Sequence, residues 1–217
     1  MIKYNVPSVE HKCIEAILNC TNDRITPYHL TIYDNYPKNE PLSVIWNRLI
    51  KRSEADYICL INSDAYAEPL WLDKMLEVFS KDEKIKLVGP TSNRVGGQQG
   101  RIKTADHYEI SDIKYICGFC MVFPKSIWQD VGGFEERFKF SSEDNYFTWQ
   151  IQQLGYRTVV RHDVFVYHDF HASWKEREKI TGRHVRANDC KEAEGVFREL
   201  TKGKAETPDG RPSNINE

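Results

Sequence analysis

No apolar run in this 217-residue chain approaches the roughly eighteen residues needed to cross a bilayer. Met1 to Glu10 carry neither the basic start nor the apolar stretch of a secretory signal. The expectation is a soluble, cytoplasmic protein, with peripheral contact as its one route to a membrane. Neither sign of charge dominates: 30 Lys and Arg stand against 32 Asp and Glu, a net charge of −2. No global field therefore draws the chain to nucleic acid or anionic lipid, and such contact would need a local patch. Internal repeats and low-complexity tracts are absent, which excludes a repeat architecture. Cys117-Gly118-Phe119-Cys120 has the spacing of a redox pair or of half a zinc site. No second such pair completes a zinc site, and a redox pair belongs at a helix start rather than inside the apolar run Tyr115 to Phe123. Cys13, Cys20, Cys59, Cys117, Cys120 and Cys190 are accordingly expected as free, mostly buried thiols. Gly96-Gly97-Gln98-Gln99-Gly100 lacks the lysine and hydroxyl of a phosphate loop and reads as a mobile flap.

What the chain does have is apolar surface, 40% hydrophobic and 12% aromatic residues, which suits a buried core and not a disordered polymer. The reading is one domain over residues 1–204, subdivided at 1–90, 91–174 and 175–204, with a flexible tail at 205–217. Apolar residues at Cys13, Ala16, Ile17 and Cys20 fall at i, i+3, i+4, i+7, and the spacing recurs at Leu42, Ile45, Trp46, Leu49 and at Leu72, Met75, Leu76, Phe79. Between these predicted helices lie β-rich runs at Ile2 to Val6, Tyr28 to Tyr33, Tyr57 to Ile61 and Ile85 to Val88. Strand and helix alternate, which predicts an α/β fold with a mainly parallel sheet covered on both faces, Rossmann-like in its first half. A polar loop spans Thr91 to Asp112. Then come a buried strand at Tyr115 to Phe123, a helix marked by Phe147, Ile151 and Leu154 with Ser141 or Ser142 as its cap, a strand at Thr158 to His168, and a charged helical stretch from Trp174 to Leu200 broken at Gly182.

In an open parallel sheet, ligands bind beyond the carboxyl ends of the strands. Two such ends carry acids, at Asp34-Asn35 and at Asn62-Ser63-Asp64. A carboxylate there can receive a base or ribose hydrogen bond or hold a divalent cation; it can equally be a turn or capping residue. Glu143 and Asp144 open a predicted helix, where a catalytic carboxylate and an ordinary first-turn acid look alike. His168, close to Asp169, His171 and Ser173, ends an apolar strand and reads either as a structural histidine or as a metal ligand.

Taken in order, these features resemble the family 2 glycosyltransferases of GT-A fold over roughly residues 2 to 174. Val6-Pro7-Ser8 resembles the family's first strand end, Asp34 its base-binding Asp, Asn47 an Asn on the following helix, and Ile61-Asn62-Ser63-Asp64-Ala65 its DxD-type motif. Val88-Gly89-Pro90-Thr91-Ser92-Asn93 looks like the next strand end. Val131-Gly132-Gly133-Phe134-Glu135-Glu136-Arg137-Phe138 resembles the Gly-Gly-Phe-Asp-Glu signature, Ser142-Glu143-Asp144-Asn145 the Glu-Asp motif, and Val166-Tyr167-His168 with His171 and Ser173 the closing histidine segment. The chain departs from the pattern at Asn62 and Asn145, which stand where relatives have acids, and at Glu135, which stands where the signature has Asp.

The resemblance implies a nucleotide-binding half at 1–90, an acceptor half at 91–174 and a basic helical lid or C-terminal helix at 175–204. It implies inverting, metal-dependent transfer of a sugar from a nucleoside diphosphate donor, UDP-linked, to a hydroxyl acceptor, glycan, lipid-linked or other. Asp144 is then the candidate base with Glu143 beside it. Asp64 and His168 are the candidate ligands of Mn²⁺, or of Mg²⁺. Pro7, Ser8, Asp34, Asn35, Asn47 and Ser63 are the nucleotide side, and Gly118, Phe134, Glu135 and Trp149 the acceptor side. Lys175, Arg177, Lys179, Arg183 and Arg186 read as a lid over the diphosphate or as a solvated helix face. The alternatives are a catalytically silent nucleotide-sugar binder, suggested by Asn62, and a transferase acting on a modified nucleic-acid base, suggested by the basic stretch and the aromatics.

Overall fold

The computed structural model describes residues 1–95, 99–100, 106–169, 172–182 and 185–205. Its strands are β1 (Ile2–Lys3), β2 (Tyr33–Asp34), β3 (Tyr57–Ile61), β4 (Ala65–Ala67), β5 (Ile85–Thr91), β6 (Ile110–Asp112), β7 (Cys120–Pro124) and β8 (Arg157–His168). Its helices are α1 (Pro7–Cys20), α2 (Leu42–Arg52), α3 (Trp71–Lys81), α4 (Lys125–Asp130), α5 (Glu143–Gln153), α6 (Ala172–Thr181) and α7 (Val185–Thr201). Pro7 opens α1, where the missing N–H has no helical partner to lose. The predicted apolar stripes face inward: Cys13 and Ile17 on α1, Ile45, Trp46 and Ile50 on α2, and Trp71, Leu72, Met75 and Val78 on α3.

Strand direction explains where the site lies. β1 pairs in parallel with β2 and touches β3 through a parallel bridge between Ile2 and Asn62. β3 and β5 are both antiparallel to β7, hence parallel to each other, and β8 runs parallel to β5. The central sheet is therefore mostly parallel, β2-β1-β3-β7-β5-β8, with β7 reversed, while β4 and β6 add antiparallel pairs to β8. Because β7 is reversed, its first residue, Cys120, pairs with Ile61, the last of β3. The chain entering β7 thus stands beside the chain leaving β3, at the edge where open sheets bind ligands.

Period-two alternation sorts the strand side chains between two cores. Ile61, Val88, Cys120, Val122 and Val159 pack with α1 and α3 on one face. Ile58, Leu60, Leu87, Met121, Phe123 and Val160 pack with α2, α4 and α5 on the other. A sheet covered on both faces needs apolar residues at successive positions, which is why the strands read as continuous runs. Beyond this sheet, Phe138, Tyr146, Ala193 and Phe197 join α5 to α7. A buried ion-pair network holds β8 to α3: the Arg161 guanidinium donates to Asp163 at 2.7 Å and to Glu77 at 2.8 Å, and Lys74 lies 3.3 Å from Asp163.

Several expectations are corrected. Of the Tyr28 to Tyr33 run only Tyr33 pairs as a strand, together with Asp34, because β1 offers just two residues of ladder. The Tyr115 to Phe123 strand begins at Cys120, since the chain before it turns into the ligand edge. β6 lies within the stretch read as loop, and β4 and α4 carried no separate signal. Ser142 stands at the cap position of α5, but its hydroxyl makes no cap bond and its backbone is left-handed, φ 69°. Gly182 does break the last helical stretch, with φ 63°. Cys13, Cys20, Cys59, Cys117, Cys120 and Cys190 are all free thiols. Gln99, read as part of a flap, is fully buried, accepting from the Cys117 N–H at 2.7 Å and donating to the Pro90 carbonyl at 2.9 Å. Gly96 to Gln98, His171, Arg183 and the tail from residue 206 lie outside the described residues. Among the described residues no helix is long and apolar enough to cross a membrane.

Candidate active site

A cavity of about 270 Å³ runs along the edge where β1, β2 and β3 end. Tyr4 lines it from beyond β1, Asn35 and Asn39 from beyond β2, and Asn62, Ser63 and Asp64 from beyond β3. Cys117, Gly118 and Phe119 line it from the approach to β7, Ser141 to Asn145 from the start of α5, and His168 from the end of β8. Asp64, Asp144 and His168, far apart in sequence, therefore share one chamber.

β4 and β8 are paired with Ala65 opposite His168, which sets the imidazole next to Asp64. His168 Nε2 lies 3.2 Å from Asp64 Oδ1, both side chains being almost fully buried. Asn93 brackets the His168 main chain, accepting from its N–H at 2.7 Å and donating to its carbonyl at 3.2 Å. The ring stacks on Phe119, centroids 4.9 Å apart, and its Nδ1 lies 3.2 Å from the Arg94 carbonyl. A carbonyl only accepts, so Nδ1 carries the hydrogen of that contact. In a neutral ring Nε2 is then an acceptor, facing a carboxylate that also only accepts. Two acceptors so placed call for a positive charge between them, a proton or a cation, and a backbone-anchored Nδ1–H is how metal-binding imidazoles are commonly oriented. One carboxylate and one imidazole fit a divalent ion whose remaining ligands come from a phosphate substrate. Among the described residues, no set of three His, Cys, Asp or Glu side chains converges on one point.

Across the cavity, Asp144 is fixed by main-chain donors: Gly118 N–H donates to Oδ2 at 2.6 Å and Asn145 N–H to Oδ1 at 2.8 Å. A Cβ at Gly118 would sit 3.1 Å from both Cβ and Oδ2 of Asp144, so a side chain there would press on that carboxylate. Burial raises the Asp144 carboxyl above the usual range, and the Gly118 and Asn145 amides offset only part of that rise. Nothing comparable holds Glu143. Burial, with the Asp144 charge beside it, pushes its carboxyl up to about 8, and among the described residues no donor reaches its buried Oε2. Both acids are raised, but Asp144 has main-chain donors that favour its carboxylate form, whereas Glu143 favours its proton. The Cys117 thiol, also in the wall, is pushed up to about 12 by burial and then by the Asp144 charge, so it is no thiolate.

Of the residues singled out from sequence, Asn35, Ser63, Asp64, Gly118, Glu143, Asp144 and His168 line the cavity. The others do not. Pro7 and Ser8 are exposed at the start of α1. Asp34 points its carboxylate at Lys3, 2.7 Å away, and accepts from the Tyr36 N–H. Asn47 is consumed by structure: its Oδ1 accepts from Trp128 Nε1 and Phe134 N–H, and its Nδ2 donates to the Phe134 carbonyl and to Glu136. Phe134 is core, stacked on Phe147 with centroids 4.3 Å apart. Glu135 pairs with Arg137, and Trp149 stacks on Tyr146. Sequence reasoning missed Tyr4, Asn39, Phe140 and the cavity-lining role of Ser141 and Ser142. For the serines a signal existed, since small polar residues directly before the acid pair admit a ligand as readily as they cap a helix; Asn39 looks like any turn asparagine.

A search of curated proteins finds no significant sequence match. Among solved structures the fold is similar to "Crystal structure of GalNAc-T7 with UDP, GalNAc and Mn2+", with a TM-score of 0.63 at 11% identity, over 77% of this chain and 42% of that one. The present chain thus spans less than half of that protein, and at such identity the likeness concerns the fold, which is GT-A. The sequence itself matches Glycosyltransferase like family 2 over residues 23–187. With a matching fold, and a family match over most of its length, this chain belongs to the family 2 glycosyltransferases.

Proposed function

We propose that the protein transfers a sugar, with inversion, from a nucleoside diphosphate donor to a hydroxyl acceptor, with Asp144 as general base. The observation that carries this is the convergence of Asp64, His168, Glu143 and Asp144 on one cavity. The structural neighbour was crystallised with UDP, GalNAc and Mn²⁺, which supports the same donor and cation classes here. Asp64 and His168 would hold the divalent ion, which when bound supplies positive charge to neutralise the departing diphosphate.

The rest of the chemistry falls to the chain's own groups. Asp144, held as a carboxylate by Gly118 and Asn145, takes the proton of the acceptor hydroxyl as its oxygen bonds to the anomeric carbon. The bond from that carbon to the donor phosphate oxygen breaks on the opposite face, and its electron pair leaves with the diphosphate. Glu143 keeps its proton and donates a hydrogen bond from its unpartnered oxygen to a sugar hydroxyl. Phe119, stacked on His168, gives that part of the chamber an apolar wall that excludes water from the anomeric carbon.

The test is release of free nucleoside diphosphate from a panel of UDP-sugars with Mn²⁺ and simple sugar acceptors. Asp144→Asn should lower turnover by about 10²- to 10⁴-fold while leaving UDP binding intact. Asp64→Ala should abolish the Mn²⁺ dependence. Full turnover by Asp144→Asn would remove the base assignment.

A further inference from the structure

The base-binding role that the resemblance gives to Asp34 has no place in this cavity, because Asp34 lies outside its wall and is paired with Lys3. The same loop nevertheless delivers another polar group. Asn39 lines the cavity, and among the described residues no donor reaches its buried Oδ1. A buried acceptor in a cavity wall calls for a donor from water or from a ligand that fills the cavity.

The surroundings say what kind of ligand. Asn39 shares the wall with Tyr4, Leu42 and Trp46, an aromatic and apolar neighbourhood beyond the ends of β1 and β2. The acids and His168 line the part formed by β3, α5 and β8. A flat ring with a hydrogen-bonding edge suits the first region, and phosphates and sugar suit the second. The loop is also built to hold Asn39 still. Asn35 spans it, donating from Nδ2 to the Glu40 carbonyl and accepting at Oδ1 from the Glu40 N–H, both at 2.9 Å. The Asn39 N–H donates to the Asn35 carbonyl at 2.8 Å. Glu40 is gripped in turn by Tyr33 and by Arg48, the latter at 2.8 Å. Asn39 itself has φ 53°, a left-handed backbone that Asn and Gly adopt readily.

We infer that Asn39 is the base-reading residue, its carboxamide oxygen accepting the imide N–H of the donor's nucleobase. Uracil and guanine carry such an N–H; cytosine and adenine present an acceptor at the equivalent position. This rests on the nucleotide-donor reading above and adds the group that selects the base. A site that hydrogen-bonds a ligand N–H rejects analogues lacking it more strongly than shape alone can, because the acceptor is otherwise left buried and unpaired.

Calorimetry with UDP, GDP, CDP and ADP in Mn²⁺ buffer, on the wild type, Asn39→Gly and Asn39→Asp, tests it. Glycine keeps the left-handed backbone and deletes the amide; aspartate keeps an acceptor oxygen. The wild type should bind UDP or GDP at least about tenfold tighter than CDP and ADP. That ratio should collapse towards one in Asn39→Gly and survive in Asn39→Asp. UDP alone in the tight class assigns uracil, and GDP alone assigns guanine. Undiminished discrimination in Asn39→Gly, or none in the wild type, overturns the role of Asn39 and leaves the transferase reading standing. If no nucleoside diphosphate binds at millimolar concentration, the donor reading falls and this inference falls with it.

Discussion

Glu143 shows how a single buried acid couples the site to stability. In the unfolded chain it loses its proton near the usual glutamate value of 4.5; in the folded protein it holds it up to about 8. Between those limits the folded state binds more protons than the unfolded one, so this residue lowers stability progressively as pH rises through that window. Glu143→Gln cannot ionise. It should melt close to the wild type at acid pH and above it at pH beyond the window, as read from a pH series of thermal melts. A variant that melts lower at alkaline pH would show that Glu143 is stabilised as an anion. Gly118 offers a cleaner lever on chemistry. An added methyl would press on Asp144, so Gly118→Ala should lower kcat by about 10²-fold with nucleotide affinity little changed, as separated by steady-state kinetics and UDP titration.

At the scale of elements, Asn47 shows what a motif residue outside the cavity wall does. It fastens α2 to the Gly133–Phe134 turn, and Phe134 stacks on Phe147 of α5, whose first turn holds Glu143 and Asp144. Gly133 is fitted to this clamp by φ 87° and by a Cβ position only 2.9 Å from Asn47 Oδ1. Asn47→Ala strands the Phe134 N–H and the Trp128 indole, and urea unfolding should show a loss of about 2–4 kcal/mol. Helices were the legible part of this region, because a one-faced apolar stripe such as Ile45, Trp46 and Ile50 announces itself locally. Short strands were not. β4 exists because Ala65 and Ala67 meet β8, a partner about a hundred residues away that no local pattern discloses. The same holds for Ser142, whose left-handed backbone is set by the chain packed round it and not by its own side chain.

For the whole molecule, α7 lies largely beyond the stretch that matches the family, yet it packs against α5, whose first turn lines the cavity. Phe197 is fully buried against Tyr115 and Tyr146, Lys139 and Arg137 reach Glu192 and Glu199, and the Ser141 hydroxyl lies 3.7 Å from the Cys190 thiol. Phe197→Ala should cost about 3–5 kcal/mol in denaturant unfolding. The global plan was readable because strand–helix alternation admits few topologies, and the acids at strand ends marked the ligand edge. Which side chains share the chamber depends on the reversed β7 and on the register of β8 against β4 and β5, facts of long-range pairing. Hence Asp64, His168 and Asp144 share the chamber, while Asn47 and Phe134 lie outside its wall.

The pairing of β3 with β7 also limits how this protein could be divided or recombined. Residues on either side of position 90 contribute to the same chamber and to one continuous sheet. A gene split there would yield two inert fragments that regain turnover only on reassociation, and exchanging the leading portion with that of a relative would be a graft across a shared core, not a swap of modules.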